Sequence, residues 1–183
     1  MLNGDGMRVI LWVSGCDHRC KGCQNPKTWD YKSGFEFTEE IQEEILQELA
    51  KEHIQGITFS GGDPLNFHNT GDTLCFIDRI RKEFDNKDVW LYTGYDIEMI
   101  PDMILSMIDV IVDGKFDESK AEENYKWAGS TNQRVIDLRA MRQLFDKETI
   151  KKYGYAKLYK IATGECRIFV DKNHDWRERC KRK

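Results

Sequence analysis

No stretch of this 183-residue chain approaches 18 consecutive apolar residues, which excludes a membrane-spanning helix. The start, Met1-Leu2-Asn3-Gly4-Asp5, lacks both the basic region and the apolar run of a secretory signal, so the sequence predicts a cytoplasmic protein. Internal repeats and low-complexity stretches are absent too, which leaves no solenoid and no long linker. A disulfide framework is also missing. Of six cysteines, three crowd into eight residues while Cys75, Cys166 and Cys180 are scattered. A scaffold would spread them more evenly, so the cluster points to a metal. What is present is a globular balance, 40% hydrophobic and 33% charged, with enough chain to bury a core.

The net charge of −4 hides a split. Residues 1–146 carry 16 Lys and Arg against 27 Asp and Glu, whereas residues 147–183 carry 12 against 5. The sequence therefore predicts two modules, an acidic body over 1–146 and a basic extension over 147–183. An acidic body argues against nucleic-acid binding, which needs a basic face. The basic tail alone has the charge to touch nucleic acid, and it fits an intramolecular or partner contact at least as well.

Arg8-Val9-Ile10-Leu11-Trp12-Val13 reads as a buried strand ending at Ser14-Gly15. Gly56–Ser60, Asp88–Tyr92 and Asp109–Val112 read the same way, and Arg134–Asp137 as a shorter strand. Between them, Phe37–Glu52, Thr70–Phe84 and Ile97–Met107 have helical spacing, with Thr38 as an N-cap and Glu39 and Glu40 at the positive helix end. Alternation of this kind predicts an α/β fold with a parallel sheet. In the tail, Lys157–Ile161 and Arg167–Val170 flank Ala162–Glu165, which suggests a β-hairpin appendage. Each main strand ends at Gly beside polar residues: Ser14-Gly15-Cys16, Ser60-Gly61-Gly62-Asp63, Thr93-Gly94-Tyr95 and Asp113-Gly114-Lys115. The carboxyl ends of parallel strands are where ligands bind, so the four ends predict one shared site.

The cysteines are spaced C-x3-C-x2-C as Cys16-Asp17-His18-Arg19-Cys20-Lys21-Gly22-Cys23. Thiolates are soft ligands suited to iron–sulfur clusters or zinc. A four-iron cluster normally takes four thiolates, so three would leave one iron open. The competing chemistry is a Cys3His zinc site completed by His18, serving a non-catalytic interaction module. A closed zinc site has no use for Gly61-Gly62-Asp63 at the next strand end.

The cysteine loop after the first strand and Gly61-Gly62-Asp63-Pro64-Leu65 after the second together resemble the radical S-adenosylmethionine superfamily. Longer strings narrow the likeness: Asn3-Gly4-Asp5-Gly6-Met7-Arg8, Thr28-Trp29, Trp90–Tyr95, Val112–Phe116 and Asn132-Gln133-Arg134. In order and spacing, from about residue 3 to 137, they resemble the family of activating proteins of anaerobic ribonucleoside-triphosphate reductases. The resemblance implies a partial (β/α) barrel in which Cys16, Cys20 and Cys23 hold a 4Fe-4S cluster. S-adenosyl-L-methionine would bind the open iron and be cleaved reductively to a 5′-deoxyadenosyl radical. That radical would take hydrogen from a glycine of the large reductase subunit, with the electron coming from a donor such as a flavodoxin-type protein.

The same resemblance places Gly61, Gly62 and Asp63 at the methionine amino group. Gly22, Cys23 and Gln24 would lie toward the adenine or sulfonium, and Thr93 and Tyr95 beside the cofactor. Many superfamily members carry an aromatic residue where Gly22 stands, so Trp29 or Tyr95 is left as the adenine wall. Lys115 and Asp113 resemble the Asp-x-Lys to which related activases assign catalytic roles. Their plain alternative is a solvated Asp-Gly-Lys turn. His18 reads as a residue hydrogen-bonding near the cluster rather than a ligand. Cys75 falls on the polar side of its helix, and Cys166, His174 and Cys180 form only a sparse metal grouping. Residues from about 145 onward match nothing in the family pattern. A different glycyl-radical enzyme remains an alternative target.

Overall fold

The computed structural model describes residues 3–164, together with the backbone of two further strands. Five strands form one sheet in the order β1 (Arg8–Val13), β2 (Gly56–Gly61), β3 (Asp88–Tyr92), β4 (Val110–Asp113) and β5 (Arg134–Asp137). The first four are parallel, and β5 runs antiparallel to β4. Parallel neighbours need long crossovers, and α1 (Glu39–Leu49), α2 (Thr70–Glu83) and α3 (Asp102–Met107) occupy them. The protein is mixed α/β and its sheet is not closed, with β1 and β5 at the two edges.

Side chains alternate across each strand, so Ile57, Phe59, Val89, Leu91 and Ile111 share one face, and all are fully buried. Phe76 of α2 meets Phe59 edge-on at 6.3 Å, and Ile77, Ile80 and Leu49 complete this layer. Each such side chain stabilises the fold by roughly 2 kcal/mol. On the other face Trp90, Val110 and Val112 pack with Ala128, Tyr125 and Trp127. Both faces of β2, β3 and β4 are covered, as parallel strands require, but β1, expected to be buried, has no fully buried residue and exposes Ile10 and Trp12, because it lies at the sheet edge. Thr38 caps α1, accepting from the Ile41 N–H, with Glu39 and Glu40 in the first turn.

Two further expectations need correction. The single helix over Ile97–Met107 is a 3-10 turn at Ile97–Met99 followed by α3. Pro101 parts them: Ile100 is extended (φ −97°, ψ 126°), as a residue before proline prefers. In the tail, Lys157–Ile161 is helical rather than a hairpin arm.

The chain divides into two compact units, residues 1–137 and 138–183. The second contains α4 (Leu138–Leu144), α5 (Lys147–Tyr153), α6 (Tyr155–Ala162) and an antiparallel pair, β6 (Cys166–Val170) with β7 (Trp176–Cys180). The charge border at 146–147 falls between α4 and α5. Tyr155 and Leu158, three apart, are the buried residues of α6, a helical spacing that alternation along a strand would not give. The sparse grouping of Cys166, His174 and Cys180 lies outside the residues whose side chains are described.

Candidate functional site

Leaving β1, the chain makes a closed excursion from Gly15 to Trp29. Gly15 N–H donates to Thr28 O (2.7 Å) and Cys16 N–H to Trp29 O (3.1 Å), which pins the two ends together. Inside it, Cys23 N–H donates to Cys20 O (3.2 Å) and Asn25 N–H to Cys23 Sγ (3.4 Å). Arg19 adopts φ +50°, a left-handed turn uncommon for a residue with a Cβ. Cys16, Cys20 and Cys23 are free thiols, each partly buried.

The end of β2 grips this loop. Gly62 N–H donates to Val13 O (2.7 Å) and Asp63 N–H to Gly15 O (2.8 Å). Asn69 Nδ2 reaches both Gly15 O (3.3 Å) and Asp63 O (2.9 Å), and Asn66 Nδ2 donates to Asp17 Oδ2 (2.8 Å). Gly61 sits at φ +105°, open mainly to glycine, and a Cβ on Gly62 would stand 2.5 Å from Gly15 O. Both glycines are therefore needed for the strand end to lie against the loop, before any ligand is considered.

Asp63 is a hub, 1% exposed. Its Oδ1 accepts from Leu65 N–H (2.8 Å) and Thr93 Oγ1 (2.9 Å). Its Oδ2 accepts from Gly94 N–H (2.9 Å) and lies 2.7 Å from His18 Nε2. The His18 ring meets Tyr95 edge-on at 4.6 Å.

Cys16, Cys20, Cys23, Gln24, Gly61, Gly62, Asp63 and Thr93 all line one cavity of about 120 Å³. Trp29 lines it as well. Gly22 does not; it lies against Glu118, whose Oε1 would stand 2.6 Å from an added Cβ. Tyr95 and Lys115 line a neighbouring hollow of about 1040 Å³, which shares His18 and Gly94 with the smaller cavity. Lys115 is exposed and makes no ion pair among the described residues. Asp113 is wholly buried and engaged elsewhere, accepting from Ile97 N–H (2.7 Å) and from Arg134 Nε (3.0 Å) and Nη2. Arg134 also pairs with Glu98 (2.8 Å), so Asp113 ties the end of β4 to β5 and to the turn after β3. Gly114, from the fourth strand end expected at the shared site, does line the small cavity, and so do Gly129 and Gln133, to which the sequence assigned no role. Gln133 bridges the other two, accepting from Gly129 N–H (2.9 Å) and donating to Gly114 O (3.0 Å). The string Asn132-Gln133-Arg134 before β5 was the available signal.

Burial pushes the Cys16 thiol above its ordinary range, and the Asp63 carboxylate and Cys20 add to it. Burial and Asp63 push the Tyr95 phenol up too. A thiolate here needs a neighbouring cation, the service a bound metal provides. Among the described residues, no three His, Cys, Asp or Glu side chains gather closely enough to hold a single ion. The three thiols instead surround a cavity with a glycine wall. That donor set fits a multi-iron cluster.

The sequence model of the family described as 4Fe-4S single cluster domain matches residues 2–136. An anaerobic ribonucleoside-triphosphate reductase-activating protein of Pasteurella multocida is 42% identical over 140 residues, 73% of this chain and 89% of that protein. Proteins of the same name from Escherichia coli K12 and Enterobacteria phage T4 are 42% and 41% identical, over 76% and 73% of this chain and 94% and 86% of theirs. No solved structure matches. Among the described residues, no helix is long and apolar enough to cross a membrane.

Proposed function

The chain belongs to the 4Fe-4S single cluster domain family and, within it, to the anaerobic ribonucleoside-triphosphate reductase-activating proteins, and from that premise we propose that it generates a glycyl radical on the large subunit of such a reductase. The observation that carries the proposal is one cavity lined by all three thiols of the C-x3-C-x2-C loop together with Gly61 and Gly62. In it Cys16, Cys20 and Cys23 would hold a 4Fe-4S cluster, with S-adenosyl-L-methionine as the second cofactor. When bound, these groups would supply a one-electron reductive cleavage of the sulfonium and, through it, the hydrogen-atom abstraction that leaves a radical on the partner's glycine.

The chain's own residues bind and orient. Gly61 and Gly62 keep the cavity wall free of side chains, while Gln24, Trp29 and Thr93 frame the space beyond the thiols. Lys115 presents an ammonium in the adjoining open hollow, placed for a cofactor carboxylate or for the partner's backbone. Asp113 acts indirectly, holding the strand end that carries Lys115. The radical domain is an open partial barrel, and a small one-electron donor protein of the flavodoxin type supplies the electron.

Anaerobic reconstitution with iron and sulfide tests this reading. Broad visible absorption, methionine release with S-adenosylmethionine and dithionite, and a glycyl doublet by electron paramagnetic resonance on adding the reductase are expected. No absorption and no methionine release would eliminate it. Normal cleavage without a doublet would assign the chain to a different glycyl-radical enzyme.

A further inference from the structure

We propose that His18 is a positioning residue that latches the thiol loop onto the ends of β2 and β3 through Asp63, so that the loop is in place before iron arrives. The proposal rests on the cluster reading above and deepens it.

A carboxylate offers about four lone-pair sites on two oxygens. In Asp63 they are taken by Leu65 N–H, Thr93 Oγ1, Gly94 N–H and His18 Nε2, all between 2.7 and 2.9 Å. No capacity is left for a direct bond to a cofactor amine unless one of these breaks. Three of the four partners belong to the strand ends, and only His18 comes from the loop. An ionised carboxylate only accepts, so the imidazole donates from Nε2. Hydrogen bonds of this charge-assisted, buried kind are the strong ones.

The surroundings are built for that ring. His18 stands two residues from Cys16 and two from Cys20, with its side chain 10% exposed. A Cβ on Gly94 would fall 2.4 Å from His18 Cδ2, so the strand end leaves out a side chain where the ring packs. Tyr95 closes the side. The next residue, Arg19, holds φ +50°, which a residue with a Cβ keeps only where its surroundings fix it. Asp63 is thus tied to the metal loop through an imidazole.

The test uses the full chain with His18→Ala, His18→Gln and Gly94→Ala, all with the three cysteines intact. In metal-free protein, hydrogen exchange at the Cys16 and Cys23 amides reads the loop directly. His18→Ala is expected to speed it by about ten-fold, the loss of one charge-assisted hydrogen bond. After reconstitution, removal of iron by bathophenanthroline should quicken by a similar factor. Gly94→Ala should mimic His18→Ala, because its methyl displaces the ring. His18→Gln, whose amide can still donate to Asp63, should restore most of both.

Unchanged exchange and iron loss in His18→Ala would overturn the latch, as would a His18→Gln variant no better than His18→Ala. Equal acceleration at the Val89 and Leu91 amides of β3 would also overturn it, by showing general loosening. If the unmodified chain takes up no iron and sulfide, the cluster reading fails. The exchange comparison in metal-free protein still decides the latch.

Discussion

At the amino ends of the strands, charge anchors β1, β2 and β3 to one another, whereas at the carboxyl ends of the same strands glycines and thiols shape a cavity. Arg8 donates to Asp88 Oδ1 (2.6 Å), Thr58 Oγ1 (2.7 Å) and Ile57 O (3.2 Å), with its guanidinium 5.1 Å from the Trp90 ring centre. Arg81 joins Asp109 (2.6 Å) to the Lys87 carbonyl (3.0 Å), and buried Lys87 reaches the carbonyls of Lys51 (3.0 Å) and Ile54 (2.6 Å). The other end has, around the cavity, glycines, three thiols and the saturated carboxylate of Asp63, while a charged clamp, Asp113 with Arg134 and Glu98, sits at the end of β4. The amino rim thus joins three strands by charge, while the carboxyl rim of those strands is left to shape a cavity. Catalytic folds often divide stability and function in this way.

Mutations at the two rims should separate iron retention from folding. The largest effect belongs to the thiols: alanine at Cys16, Cys20 or Cys23 should lower bound iron by more than about ten-fold, while exposed Cys75→Ala leaves it unchanged in iron and sulfide assays. Next is Arg8→Ala, which removes the 2.6 Å ion pair with partly buried Asp88 and the hydrogen bonds to Thr58 and Ile57. It should cost about 3 kcal/mol in urea unfolding with iron per folded molecule unaltered. An equal loss of iron would break the comparison. Gly62→Ala should cost about 2 kcal/mol through its clash with the Gly15 carbonyl, and it should also hasten iron loss, because the clash is transmitted to the loop.

The smallest effect concerns Tyr92, whose hydroxyl donates to Trp127 O (2.7 Å); Tyr92→Phe should cost about 1 kcal/mol. Burial holds this phenol above its ordinary value. The neutral form therefore stabilises the fold throughout lower pH, and the contribution is lost as pH climbs above about 10. Alkaline melts of Tyr92→Phe should show a shallower decline than the unmodified chain.

Much of this was legible in the sequence. Continuous apolar runs located the strands of the parallel sheet, of which β2, β3 and β4 are buried on both faces while β1 is a half-exposed edge, and Thr38 marked the start of α1. The cysteine loop and Gly61-Gly62-Asp63 were readable because they are local strings. Long-range pairings were not: His18 finds Asp63 45 residues away, and Arg134 finds Asp113 21 residues back. Nothing in the local pattern distinguishes an Asp that faces a cavity from one clamped beneath it. The Ile97–Met107 misreading underweighted Pro101, and the Lys157–Ile161 misreading took a helical spacing, Tyr155 with Leu158, for alternation.

The edge position of β1 carries a last consequence, in the order of disassembly. Among the described residues β1 is hydrogen-bonded to β2 alone, and Ile10 and Trp12 are 37% and 46% exposed, whereas β2 and β3 have neighbours on both sides. A strand held on one side opens at lower free energy than the sheet it borders. As denaturant rises, β1 departs first and takes its loop with it. Colour should therefore fade from the reconstituted protein before circular dichroism registers melting, making cofactor release an early reporter of unfolding rather than its result.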